Sequence, residues 1–277
     1  MAVVQQRFGI LWCEDSAKWT GQWSLYVNAL GEHDSEVWEV FHVCEGQLPS
    51  LDAIHDYTGF LISGSHWASY DEEPWIKQLH QWIRGYRECT MELAQGPQMV
   101  GICFGHQAIS DALGGRVALN SRFVIGTERV RPNERFAEKP YVRMAMAELG
   151  LVELPDLVHV LQSHGDAVHA LPPGAELLAS SPDTEVEMFT IGDRIMGIQG
   201  HPEFAPELLK EKILDEMVAN GSITPEAAAE VERVMREQPL HHTFLRKVLQ
   251  GFIKGKSLPA ASTPLQPASH PIPIPIE

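Results

Sequence analysis

From Phe8 to Gly115, short apolar runs alternate with longer amphipathic stretches, and this rhythm limits the fold more than any other feature of the chain. Phe8-Gly-Ile-Leu-Trp12, Val37 to Val43, Gly59-Phe-Leu-Ile62 and Gln98-Met-Val-Gly-Ile102 read as four buried strands. Ser63-Gly64-Ser65 stops the third. Between the third and fourth, Trp75, Leu79, Trp82, Ile83 and Tyr86 recur at helical spacing, and Pro74 suits a first helical turn, so a helix is predicted from Pro74 to about Gln95. Gly96-Pro97 breaks it. A second helix runs from Gly105 to Leu113 and ends at Gly114-Gly115. The β-α-β-α order predicts an α/β fold: an open, mainly parallel twisted sheet covered by helices on both faces.

The second half reads differently. Val124 to Arg131, Leu157 to Gln162, Glu176 to Ser180, Val186 to Ile191 and Ile195 to Gln199 look like strands separated by turns, the last two forming a hairpin across Gly192-Asp193. C-terminal helices follow over Pro206 to about Ala219, Pro225 to about Glu237 and Leu240 to about Ile253. One domain is expected over residues 1–255. From Lys256 to Glu277 the composition, with six prolines, predicts an extended or disordered tail.

A net charge of −16 cannot hold a phosphate backbone by bulk electrostatics, which argues against a nucleic-acid or anionic-membrane role. No apolar run is long enough for a transmembrane helix, and Met1 to Gly9 lacks the layout of a signal peptide. Cys13, Cys44, Cys89 and Cys103 form no Cys-x-x-Cys pair and have no histidine at finger spacing, so neither disulfides nor structural zinc are expected, and a reducing cytoplasm fits.

Among these four, Cys103 stands apart. It sits in Gly101-Ile-Cys103-Phe104-Gly105-His-Gln107, between a predicted strand and a predicted helix. A nucleophile on such a turn needs small neighbours, because its backbone is strained and the helix packs closely behind it. The helix N-terminus favours a thiolate, and the Phe104 N–H is placed to hold an oxyanion. Taken alone, the motif is matched about equally well by an inert buried cysteine at a glycine-rich turn.

The partners lie downstream. Gly200-His201-Pro202-Glu203 follows the last predicted strand, about a hundred residues after Cys103, and a carboxylate two residues from a histidine can fix its tautomer. Carboxyl ends of strands are where an open α/β sheet places its site. His164, in Gln162-Ser163-His164-Gly165-Asp166, competes for the role of base but has only Asp166 at tight spacing, across a glycine.

Taken together and in order, Ser63-Gly64-Ser65, Gly-Ile-Cys103-Phe-Gly-His-Gln107, Ser163-His164-Gly165-Asp166 and Gly-Ile-Gln-Gly-His201-Pro-Glu203 resemble the class I glutamine amidotransferases over about residues 7 to 220. The chain is most similar to the stand-alone branch that includes the plant γ-glutamyl peptidases. The resemblance implies a flavodoxin-like sheet and no cofactor or metal. It also implies that Cys103 attacks a γ-carbonyl, His201 moves the proton and Glu203 orients His201. The N–H groups of Phe104 and of the Gly64-Ser65 turn form the oxyanion hole, and Gln107, Ser163 and His164 hold the glutamate moiety. The loop after the turn offers Trp67 and Tyr70 as walls for a leaving group, while Trp75 is expected to pack the loop onto its helix. Three functions follow: a γ-glutamyl peptidase acting on small peptides or conjugates, a glutaminase feeding ammonia to a separate synthetase partner, or a non-catalytic binding subunit. An intact cysteine, histidine and carboxylate set argues against the third.

Overall fold

The computed structural model describes residues 5–32, 35–91, 93 and 95–255. The Pro-rich stretch from Lys256 onward, expected to be extended or disordered, lies outside them. Nine strands are present among the described residues: β1 (Arg7–Trp12), β2 (Val37–His42), β3 (Gly59–Ile62), β4 (Gln98–Ile102), β5 (Arg116–Pro132), β6 (Val158–Ala170), β7 (Ala175–Ser180), β8 (Met188–Ile191) and β9 (Ile195–Ile198). They form one sheet in the order β2-β1-β3-β4-β9-β8-β7-β5-β6. The first five in that order pair in parallel. The last four pair antiparallel, beginning with the β8–β9 hairpin. The expected α/β sheet is therefore mixed, with a parallel half and an antiparallel half joined at β9.

The parallel half is covered on both faces, and the strands show why. Successive side chains point to opposite sides of a sheet. Phe8, Ile10 and Trp12 of β1, Leu61 of β3 and Val100 and Ile102 of β4 enter one apolar cluster. Leu11, Phe60, Ile62 and Met99 enter the other. The second cluster is closed by α2 (Pro74–Thr90) and α3 (Phe104–Ala112), through Trp75, Leu79, Trp82, Ile83, Tyr86 and Ile109. The first is closed by α1 (Ser24–Leu30), by α5 (Pro140–Glu148) after the single turn α4 (Glu134–Glu138), and by the C-terminal helix α9 (His242–Ile253).

Helix α9 belongs to this packing: a Cβ on Gly59 would meet Ile253 at 2.7 Å, and Gln250 donates to the Ala29 carbonyl at 3.1 Å. Just past α9, the buried Lys254 ammonium bonds Glu36 at 2.7 Å and Glu32 at 3.0 Å. Between them, α8 (Pro225–Glu237) is capped by the Thr224 hydroxyl and packs on β5, where Gly126 at φ +96° leaves room for Val231.

Several expectations change, among them the strand expected from Val124 to Arg131, which is β5 and starts at Arg116. The helix expected from Pro206 to Ala219 is α6 (Pro206–Leu209) and α7 (Asp215–Ala219) joined through a π turn over Lys210–Leu214. The helix from Pro74 stops at Thr90, whose hydroxyl bonds back to the Tyr86 carbonyl at 2.8 Å. The Ser163-His164-Gly165-Asp166 segment does not follow a strand but lies inside β6, paired with β5 across a bulge at Leu119 to Val124. No helix among the described residues is long and apolar enough to cross a membrane, and all four cysteines are free.

Candidate active site

Cys103 sits between the end of β4 and the start of α3, at φ +52° and ψ −107°. It is the one non-glycine residue with positive φ among those described. Such a conformation costs about 1–3 kcal/mol and persists only where its surroundings force it. The surroundings here are backbone. The Cys103 N–H donates to the Ile198 carbonyl at 2.9 Å, and the Gln107 N–H donates to the Cys103 carbonyl at 3.1 Å. A Cβ on Gly101 would lie 2.4 Å from the Gly105 carbonyl group, and one on Gly105 would lie 2.2 Å from the Ile62 oxygen. Both glycines are thus needed for α3 to sit directly against β3 and β4.

His201 follows β9, the neighbour of β4, so parallel pairing carries it to the same sheet edge as Cys103. Its Nδ1 lies 2.7 Å from Glu203 Oε1, and both side chains are buried. Burial would lower the imidazole pKa, but the charge of Glu203 and hydrogen bonding with Cys103 outweigh it and raise the group to about 10. The arrangement therefore favours an imidazolium held between a carboxylate and a sulfur. His164 differs. Its Nδ1 is 2.8 Å from the Asp166 carbonyl, and burial lowers it to about 4, so it stays neutral. The Cys103 sulfur lies 3.8 Å from the Ser163 carbonyl.

Of the expected oxyanion groups, the Phe104 and Ser65 N–H groups have no partner among the described residues. Gly64 is a correction. Its N–H donates to the Tyr26 hydroxyl at 3.0 Å and is not free for a ligand. What Gly64 supplies is space, since a Cβ there would stand 3.3 Å from His201 Cε1 and 3.7 Å from the Cys103 Cβ.

Cys103 and His201 open onto a cavity of about 250 Å³. Gly64, Ser65, Trp67, Gln107, Ser163 and His164 line it. The Gln107 amide group donates to the Asp166 carbonyl at 2.9 Å and to Gln199 at 3.1 Å, tying α3 to β6 and β9. Trp67 is tethered by its Nε1 to Asp15 at 3.2 Å, and Trp75 is buried against Phe104, as the sequence suggested. Tyr70 does not reach the cavity wall. Its hydroxyl donates to Asp166 Oδ1 at 2.7 Å from an exposed position.

The remaining walls were not foreseen. Trp12 comes from β1, Trp19 from the segment leading into α1, Leu25 and Tyr26 from α1 itself, Phe204 from just after Glu203, Ile213 from the π turn, and Phe123 from the β5 bulge. Only Phe204 carried a signal, by adjoining the His201 motif. Trp19 gave none, because the segment between Cys13 and Gln22 has no periodicity, and Tyr26 gave none, because α1 spans only seven residues.

Residues 37–220 match the family described as glutamine amidotransferase class-I. Gamma-glutamyl peptidase 4 of Arabidopsis thaliana is 31% identical over 242 residues, spanning 84% of this chain and 88% of the relative. A glutamine-hydrolysing GMP synthase of Thermomicrobium roseum is 34% identical over 182 residues, 65% of this chain but 30% of that protein. The fold is that of a solved glutamine amidotransferase from Thermotoga maritima, with a TM-score of 0.66 at 19% identity over 91% of this chain and all of that one.

Proposed function

We infer that this chain, which belongs to the class I glutamine amidotransferase family, is a cysteine-dependent hydrolase of γ-glutamyl amide bonds. Cys103 attacks the γ-carbonyl as the thiolate of a thiolate–imidazolium pair with His201. The Phe104 and Ser65 N–H groups receive the oxyanion. The His201 imidazolium then gives its proton to the departing amine, leaving a γ-glutamyl thioester on Cys103. Water, deprotonated by the now neutral His201, hydrolyses the thioester and restores the pair. Glu203 holds the His201 tautomer throughout and stabilises its charge. The observation that carries this reading is the 2.7 Å bond of His201 to Glu203 in the same cavity as Cys103, on backbone that forces Cys103 to positive φ.

Within that activity, the substrate is a γ-glutamyl peptide or conjugate. The cavity holds about 250 Å³, where one water-sized molecule needs roughly 10–15 Å³. Beyond the glutamate-holding residues its walls include Trp12, Trp19, Leu25, Phe204 and Ile213, apolar surface that departing ammonia does not use, together with the polar Glu14, Lys18, Gln22 and His66. The alternative, a glutaminase supplying a separate synthetase, draws on the likeness to GMP synthase.

The test is kcat/KM for glutathione, a glutathione S-conjugate and glutamine with one preparation. An apolar group seated in this cavity favours the conjugate by roughly 10–200-fold. Glutamine turned over better than both peptides would reject the peptidase reading in favour of the glutaminase.

A further inference from the structure

We propose that Phe204 and Trp19 are positioning residues for His201, forming with it a column of three stacked rings that sets the plane of the imidazole. The Phe204 ring lies 4.2 Å from the His201 ring with planes 7° apart. Trp19 lies 5.6 Å from Phe204 with planes 10° apart. All three side chains are buried, and all three line the cavity. His201 and Phe204 come from the segment after β9, whereas Trp19 comes from a single 3₁₀ turn (Ala17–Trp19) between β1 and α1. Two distant parts of the chain are thus joined face to face at the reacting histidine.

The column supplies something that Glu203 cannot. A hydrogen bond from Nδ1 fixes one edge of the imidazole, but the second side-chain torsion of histidine has a broad minimum, and the ring can still swing about that bond. A swing would carry Nε2 away from the Cys103 sulfur. Stacking one face on Phe204 removes that freedom, and Trp19 in turn backs Phe204. Gly64 leaves room at Cε1, so the ring is clasped without a clash. An aromatic face also favours the charged imidazolium over the neutral ring. The other ionisable groups around His201 include Cys103, Glu203, Tyr26, His164, His242 and Arg246, whose guanidinium donates to the Pro202 carbonyl at 2.7 Å. Of these, His164 and His242 are kept neutral by burial, each near 4. Because Trp19 and Phe204 also line the cavity, the same column joins the cavity wall to His201.

The inference rests on the reading of His201 as the proton carrier, so its test includes readouts that need no substrate. In Phe204→Leu, Phe204→Tyr and Trp19→Leu, three quantities are measured: kcat and KM for a γ-glutamyl peptide, the His201 titration followed by NMR at Cε1–H, and the rate of Cys103 alkylation by iodoacetamide against pH. Phe204→Leu is expected to lower kcat about tenfold with KM little changed, to move the His201 deprotonation down by about one pH unit and to slow alkylation at neutral pH. Phe204→Tyr restores all three. Trp19→Leu shifts them in the same direction by less, and tests the column independently should Phe204→Leu fail to fold. Leucine variants with the wild-type His201 titration and alkylation rate would overturn the proposal, as would a tyrosine variant as impaired as the leucine one. Absence of γ-glutamyl turnover in the wild type would sink the proposed function while leaving the titration and alkylation arms to decide the column.

Discussion

The parallel and antiparallel halves of the sheet meet at β9, and they give the cavity different things. From the parallel half come positions fixed by backbone: the Cys103 elbow, the Ser63-Gly64-Ser65 turn and the start of α3. Strands β3 and β4 are buried almost throughout, and their glycines stand within van der Waals contact of main chain on the next element. The antiparallel half gives side chains and carbonyls on a ribbon that alternates between buried and exposed: Ser163, His164, Gly165 and Asp166 on β6, and Phe123 on the bulge of β5. The comparison teaches where tolerance lies. On the proposed function, a nucleophile misplaced by a fraction of an ångström would lose its reaction, and Cys103 sits where the surrounding backbone cannot yield. A substrate wall can yield, and it is built where side chains border solvent.

Removing the groups on the parallel side is expected to have the largest effect. Cys103→Ala and His201→Ala each lower kcat by about a thousandfold or more, while Glu203→Gln leaves activity about 10–100-fold above that floor, because an orienting carboxylate contributes less than nucleophile or base. Steady-state kinetics on the three purified variants checks the order. An active His201→Ala beside a dead His164→Ala would move the base to the other half of the sheet.

A pair of glycines sharpens the contrast. In Gly105→Ala the new methyl meets the Ile62 carbonyl oxygen at 2.2 Å, where only main chain could move. A loss of about 1–3 kcal/mol is expected, read by urea denaturation, with activity falling alongside. In Gly165→Ala the nearest atom is 3.3 Å away on Phe123, a half-exposed side chain that can turn aside. Stability there stays within about 0.5 kcal/mol. Equal losses at the two positions would erase the distinction between the halves.

The smallest expected effect is one of pH, at the seam between the halves. Glu187 is buried just before β8, its Oε2 accepting from Gln162 at 2.7 Å while its Oε1 has no partner among the described residues. Burial raises its carboxyl to about 7 against bonds from Ser181 and Gln162 that lower it. The folded state therefore holds a proton that the unfolded chain releases near 4.5. The stabilisation from this group is complete below that pH and is lost as pH rises through about 7. Glu187→Gln should flatten this part of the Tm–pH curve and raise Tm at pH 8. A curve parallel to wild type would show that the carboxyl titrates normally.

The parts legible in the sequence were those where one local rule acts alone. Strands β3 and β4 and helix α8 have the expected bounds, because uniform apolar runs mark the strands and a proline after Thr224 marks the helix start. The places of Cys103 between β4 and α3 and of His201 after β9 were legible too, since glycine and proline at fixed offsets mark such turns. Helix α1 was missed because its N-cap, Trp23, caps nothing. Strand β6 was cut short at Gln162 because the polar residues beyond it face a cavity rather than a core, and that breaks the alternation on which strand reading relies. The walls at Trp19, Tyr26 and Ile213 depend on tertiary approach of separate segments, which no local pattern encodes.

The most direct test of the central claim is mass analysis of Cys103 during turnover. Acid quenching within the first seconds of reaction with a γ-glutamyl peptide, followed by digestion, should reveal one γ-glutamyl group on the peptide that contains Cys103, labile to hydroxylamine and absent from Cys103→Ala. Steady hydrolysis of the same peptide by Cys103→Ala, or an acyl group found on any other residue, would contradict it.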